Sequence, residues 1–264
     1  MKNPHKSSLL AIVISICAMG LSQAVVVLNT VGVYDSTNNA NAVDRVAAGS
    51  ISLTTFTTDV ATAFSNNLGG VIDFNTGSIN TQTGIDAKYG TGLGKTLSIS
   101  TSSNYNIQTS NNIRAISDTQ SITGHFLLDS TATQFSTFTV GSITNGSVGE
   151  VVTQFGFTIL ARNGGGTPTI VVTATFSNAT TASASAAFTV TSTIPSTTED
   201  SFYGFTAPAG KSISSVQVNY GAAGDLRRGI DDIAFVTSVI PEPSTFLMGL
   251  GGVSLLFIFR RRCH

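Results

Sequence analysis

Hydroxyl side chains set the first limit on this chain: residues 25–239 hold 62 Ser or Thr among 215 positions. Such a density disfavours long helices, because Ser competes for its own backbone and Thr loses rotamer freedom there. The branched Cβ of Thr packs well on a pleated surface instead. The whole chain also carries 16 Phe with many Val and Ile, enough apolar volume for a core, which argues against disorder. The body therefore reads as mainly β.

Successive segments fit short strands. VVTQFGFTILA at 151 places Val151, Phe155, Phe157 and Ile159 on one face by period two. ISSVQVNY at 213 turns Val216, Val218 and Tyr220 inward and Ser215, Gln217 and Asn219 outward. Further strands are expected at VIDFN (71), KTLSIST (95), SITGHFLLD (121), QFSTFTV (134), TIVVTATFS (169) and SAAFTVT (185). Gly69-Gly70, Asn145-Gly146, the run 163–166 and Pro208-Ala209-Gly210 separate them as turns. One segment has helical spacing: Leu53, Phe56, Val60 and Phe64 predict a helix over 53–67 that ends at Gly69-Gly70 and lies against a sheet. Many short strands with Gly-rich turns predict a β-sandwich or jelly-roll-like domain over 25–239 with this one short helix. A domain break at 192–200, around Pro195, is the alternative.

Charge and cysteine usage exclude several functions. The body has 8 basic and 13 acidic residues, a net of −5, and no basic stripe for nucleic acid. Cys17 and Cys263 lie near the two ends, so the body has neither a disulfide framework nor a thiolate site. His5 and His264 are terminal too. Only His125 remains in the body, which excludes a His-rich zinc site or a Ser-His-Asp triad on another histidine.

Both ends read as targeting segments. Lys2 and Lys6 precede an apolar stretch over 9–21, and Ser22-Gln23-Ala24 offers small residues at −3 and −1. That order predicts a signal peptide over 1–24 cleaved after Ala24, with an uncleaved anchor or a buried helix as the plainer alternatives. At the other end, over 240–264, Pro241-Glu242-Pro243 is held extended by its prolines. An apolar run over 245–259 follows; as a helix it is ~22 Å long, short against a hydrocarbon core of ~30 Å. Arg260, Arg261 and Arg262 then act as a stop-transfer block on the cytoplasmic side. An ordinary tail anchor also fits this pattern; a glycosylphosphatidylinositol signal fits it less, lacking a place for terminal arginines.

The ordered triple of Pro-Glu-Pro, apolar run and Arg cluster over 240–262 resembles the PEP-CTERM sorting signal of Gram-negative bacteria. The resemblance implies that Pro241, Glu242 and Pro243 are the sorting motif, that 245–259 is a single transmembrane helix, and that an exosortase-like membrane enzyme processes the tail. The expected location is a precursor tethered transiently to the inner membrane, then the cell surface or the extracellular space. Ile240 stands where that family often has Val, and Cys263 and His264 extend past the usual arginine end. The stretch FYGFTAPAGKSISSVQVNYGAAGDLRRGIDDIAFVT is loosely similar to the closing strands of such exported bodies and of jelly-roll carbohydrate-binding modules. That similarity implies calcium at Asp231 and Asp232, with Asp225 a distant third. Two adjacent Asp supply only part of the six to eight oxygens calcium takes, so the residues themselves read as a strand cap or as partners of Arg227 and Arg228. The expectation is no cofactor, with calcium the alternative.

Other motifs lead nowhere specific. Asp73 and Glu150 could form a glycosidase carboxylate pair, but sequence gives no distance between them. Threonine pairs such as those of TTFTTD lack the fixed repeat of an ice-binding array. Gly90-Thr91-Gly92-Leu93-Gly94 has no P-loop or dinucleotide-binding pattern and reads as a turn. The sequence thus predicts a non-enzymatic, exosortase-sorted surface or extracellular-matrix protein, exopolysaccharide- or biofilm-associated, with polysaccharide as the candidate ligand of its body. With no Trp, the chain makes a poor stacking platform for sugars. A secreted polysaccharide-acting hydrolase is the alternative.

Overall fold

The computed structural model describes residues 26–29, 43–45, 50–72, 79–109, 125–129, 135–159, 169–178, 181–193, 200–220 and 229–241. Chain order begins with β1 (Val26–Asn29), β2 (Val43–Asp44), α1 (Leu53–Ser65), β3 (Gly69–Ile72), β4 (Ile79–Tyr89) and β5 (Lys95–Thr109). It continues with β6 (His125–Asp129), β7 (Phe135–Thr144), β8 (Glu150–Ile159), β9 (Thr169–Asn178) and β10 (Thr181–Thr193). β11 (Ser201–Thr206), β12 (Lys211–Asn219) and β13 (Gly229–Val239) close it.

The strands form two leaves of one continuous ladder. The first leaf runs β10-β9-β12-β7-β5, with β4 on the other flank of β5 and β1 beyond it. The second runs β13-β8-β11-β2, with β3 and β6 both on the free flank of β13. β6 makes the corner: it pairs with the end of β5 (Asn106↔Leu128) and the start of β13 (Gly229↔Leu128). The leaves then face each other. Phe138 of the first leaf lies 6.0 Å from Phe157 of the second, and Tyr89 meets Phe235 edge-on at 5.1 Å. Val172, Val216, Ile99, Phe155 and Phe205 fill the same core. The body is a mainly β, sandwich-like fold with one α-helix among the described residues.

Helix α1 covers the outer face of the second leaf, where Phe56 and Val60 pack with Val71, Phe202 and Ala234. This leaf is therefore buried on both faces, which explains why β3 and most of β11 show no alternation. Packing of Phe56 and Val60 outweighs the helix's threonine content, whose hydroxyls are satisfied locally. Hydroxyls of Thr57, Thr58, Thr62 and Ser65 each donate to the carbonyl four residues back. Ser52 caps the N-terminus through the Thr55 N–H, and Asp44 accepts from Leu53 N at 3.0 Å.

The helix stops earlier than its glycines suggest. Asn67 takes φ 59°, with Asn67 N bonded to Phe64 O and Leu68 N to Ala63 O, a Schellman ending. Gly69 and Gly70 are instead the start of β3, paired with Val236 and Phe235. Gly69 is required by approach rather than by φ: a Cβ there would fall 2.4 Å from Phe235 O.

Strand β12 turns Val216 and Val218 inward, and Tyr220 just past its end is buried with them, as the alternation predicts. Strand β8 does not follow its expected face throughout. Phe155, Phe157 and Ile159 are buried, yet Val152 rather than Val151 joins them. A bulge between the pairs Val236↔Gln154 and Thr237↔Val152 adds one residue to β8 and flips the earlier side chains. Among the described residues no helix is long and apolar enough to cross a membrane; 245–259 lie outside them.

Candidate functional site

The sorting segment leaves the body without a linker. Strand β13 is zipped to β8 through Thr237↔Val152, Ser238↔Val151 and Val239↔Glu150. Ile240 N then donates to Gly149 O at 2.9 Å, and Pro241 is exposed. Gly149 makes this approach possible, with φ 77° and a hypothetical Cβ only 2.6 Å from Ile240 O. The β7–β8 turn beside it has Asn145 at φ 59° and Val148 85% exposed.

Directly beneath this exit lies a buried polar cluster centred on Glu150. The β8 bulge carries the Glu150 side chain inward, and four groups converge on it. Lys95 Nζ donates to Oε2 at 2.8 Å and to Oε1 at 3.0 Å. Tyr89 OH and Thr237 Oγ1 donate to Oε1 at 3.0 and 2.8 Å, and Ser147 N to Oε2 at 2.8 Å. Lys95 also donates to Asn67 O at the helix end and sits 5.6 Å from the Tyr89 ring centre. Thr237 N reaches Leu68 O at 2.6 Å. The cluster thus ties β4, β5, β8, β13 and the α1–β3 turn together at the chain exit.

Electrostatics follow from this geometry. Burial raises the Glu150 pKa, but the Lys95 ammonium and the three other donors outweigh it and hold the carboxyl below its ordinary 4.5. Burial, then the Glu150 charge, pushes the Tyr89 phenol above its usual range. Burial likewise raises the Asp44 carboxyl against the opposing Leu53 N–H bond.

A second surface lies on the outer face of the first leaf, which no helix covers among the described residues. The pairing places Thr173, Gln217 and Thr137 in one cross-strand row, and Thr175, Ser215, Thr139 and Ser100 in the next. Ser102 Oγ extends the first row by accepting from Thr137 N at 2.8 Å. Gln217, Thr139, Ser100 and Ser102 are exposed. This face offers hydroxyl and amide groups on a flat support.

Of the other sequence-predicted residues, Asp231 and Asp232 are both buried, at 7% and 3% exposure. Asp232 lies in a bulge on β13 between Asp231 and Ala234, at φ 48°, and its N–H donates to Asp231 Oδ1 at 2.9 Å. Among the described residues no three His, Cys, Asp or Glu converge on a metal-sized position. Ala24, Asp73, Asp225, Arg227, Arg228, Glu242, Pro243 and Arg260 to Arg262 lie outside the described residues. The inward turn of Glu150 was not readable from alternation, because the bulge is set by pairing with β13.

The class is set by the residue order of the tail rather than by the fold: an exported protein carried to the cell surface through a membrane-anchored precursor. Residues 239–262 match the PEP-CTERM protein-sorting motif, and that motif implies processing by an exosortase, a membrane enzyme. Among curated proteins, none matches this chain. A solved structure with some likeness is the enzymatically active domain of bacteriophage CBA120 tailspike protein 4, at 16% identity and TM-score 0.31. The likeness covers 54% of this chain and 19% of that one, and at that score it carries no argument.

Proposed function

We propose that the mature body is a non-enzymatic surface or extracellular-matrix protein that associates with exopolysaccharide in a biofilm. The observation that carries this reading is the hydroxyl and amide array on the outer face of the first leaf, on a domain that the sorting tail delivers outside the cell. Cross-strand rows of Ser, Thr and Gln donate and accept hydrogen bonds along a line, as a polysaccharide chain requires. Tyr89, Tyr203 and Tyr220 are buried in the core, so sugar rings cannot stack on them. Association is then polar, weak per contact and cumulative along a polymer. The hydrolase alternative loses support from Glu150, whose two oxygens are both occupied by structural donors.

One experiment separates the readings. The released body is incubated with exopolysaccharide from the producing cells, and both sedimentation and polymer length are followed. Co-sedimentation with unchanged polymer length, weakened by Gln217→Ala with Thr139→Val, is expected. Shortening of the polymer would overturn the proposal in favour of a hydrolase.

A further inference from the structure

The chain exit sits at one end of the sandwich, and the pairing identifies what surrounds it. The turn 144–149, the segment 90–94 before β5, the turn 207–210 before β12 and the helix end 65–68 all lie at this end. These four segments contain no Asp or Glu, although the body as a whole carries a net of −5. Glu150 is buried there, while Lys95 and Lys211 stand at the starts of β5 and β12. The two large apolar residues most exposed among the described residues, Val148 at 85% and Val239 at 46%, are both here. Of the acidic side chains on neighbouring elements, Asp86 comes nearest, three residues before the end of β4 and accepting from Ser98 Oγ; Asp59 is in mid-helix, and Asp231 and Asp232 lie toward the opposite end of β13.

Tether length adds a second, independent constraint. The ladder holds the chain through Ile240, and the apolar run begins at Thr245. Four residues extend at most about 14 Å. A headgroup layer is about 5–7 Å deep on each side, and a ~22 Å helix in a ~30 Å core draws its flanks inward. Little room is left between body and lipid.

We infer that the 144–149, 90–94 and 207–210 end of the sandwich rests on the lipid surface while the precursor is tethered, with Val148 at the contact. This rests on the tethered-precursor reading of the tail. The absence of acidic side chains on the contacting loops removes the repulsion that anionic headgroups would otherwise impose on this body. The short tether fixes which end faces the membrane, so the hydroxyl array runs roughly upright, away from lipid.

The chain has no Trp, so a single introduced Trp reports alone. Full-length Val148→Trp and Thr169→Trp proteins would be placed in phosphatidylethanolamine–phosphatidylglycerol vesicles; Thr169 is exposed at the opposite end of β9. Flotation with the vesicles first checks the tether. The Val148→Trp emission should shift to the blue and be quenched by brominated lipid several-fold more than that of Thr169→Trp. A flexible Gly-Ser insertion between Ile240 and Pro241 should reduce the difference. Flotation with equal quenching at both positions overturns the contact and leaves the tether standing. Failure to float overturns the tether as well. Quenching at Val148→Trp that needs the processing enzyme present would show a protein contact instead, and overturns the lipid assignment.

Discussion

Replacing Glu150 by Gln removes one charge from the cluster beneath the chain exit and keeps the side chain's shape. Its consequences can be worked atom by atom. With the amide nitrogen at the Oε2 position, it would face Ser147 N–H and the Lys95 ammonium, two donors that cannot become acceptors. With the nitrogen at Oε1 it faces the Tyr89 and Thr237 hydroxyls, which can rotate and accept, but it also meets Lys95. The second orientation wins, and Lys95 loses its counter-charge in either. Breaking a fully buried pair costs about 3–5 kcal/mol. The Lys95 side chain is 18% exposed and recovers some hydration, so a loss of about 2–3 kcal/mol is expected. At about 2–4 °C per kcal/mol for a domain of this size, melting should fall by roughly 5–10 °C.

The pH dependence has a definite sign. The Glu150 carboxyl is depressed on folding, so the folded state binds its proton more weakly than the unfolded chain. Its stabilisation is complete above the ordinary value of 4.5 and drains away as pH falls through the depressed one. Thermal melts of wild type and Glu150→Gln at pH 7 and down the acid limb test this directly. The gap between the two proteins should narrow as pH falls. Equal melting at pH 7, or a gap that widens in acid, would refute the reasoning.

Further expectations rest on other residues. Gly149→Ala places a Cβ 2.6 Å from Ile240 O at φ 77°, so hydrogen exchange at the Ile240 amide should rise more than at the centre of β13. Gly69→Ala should destabilise by about 2 kcal/mol or more in urea unfolding, because its Cβ would meet Phe235 O in the backbone. Asp44→Asn should hold or raise stability at pH 7: one carboxylate oxygen has no hydrogen-bond partner, and the raised carboxyl pKa makes its charge unfavourable as pH climbs. Melting of the body should be indifferent to EGTA, whereas a calcium-dependent rise abolished by Asp231→Ala would establish a metal site there. Glu242→Ala should leave full-length protein in the inner membrane on blots of fractionated cells, and release like wild type would mark the tail as an ordinary anchor.

The sequence alone determined what depends on local chemistry. The Ser and Thr content, the apolar periods and the turn residues predicted a β body with one helix, and α1 begins at Leu53 as its spacing requires. The sorting motif was legible because its function lies in residue order rather than in tertiary contacts. Alternation in β12 was legible too, since Ser215 through Asn219 run without a bulge. Tertiary structure decided the rest. Period two assigned Val151 to the core, but pairing with β13 inserted a bulge that buried Val152 and swung Glu150 inward. Gly69-Gly70 looked like a helix stop, yet Asn67 ended the helix and both glycines entered a strand, with Gly69 too close to Phe235 O for a Cβ. In each case a partner strand distant in sequence fixed the phase or the space. Local pattern constrains which way a side chain can alternate; only the register against a neighbour says where the count begins.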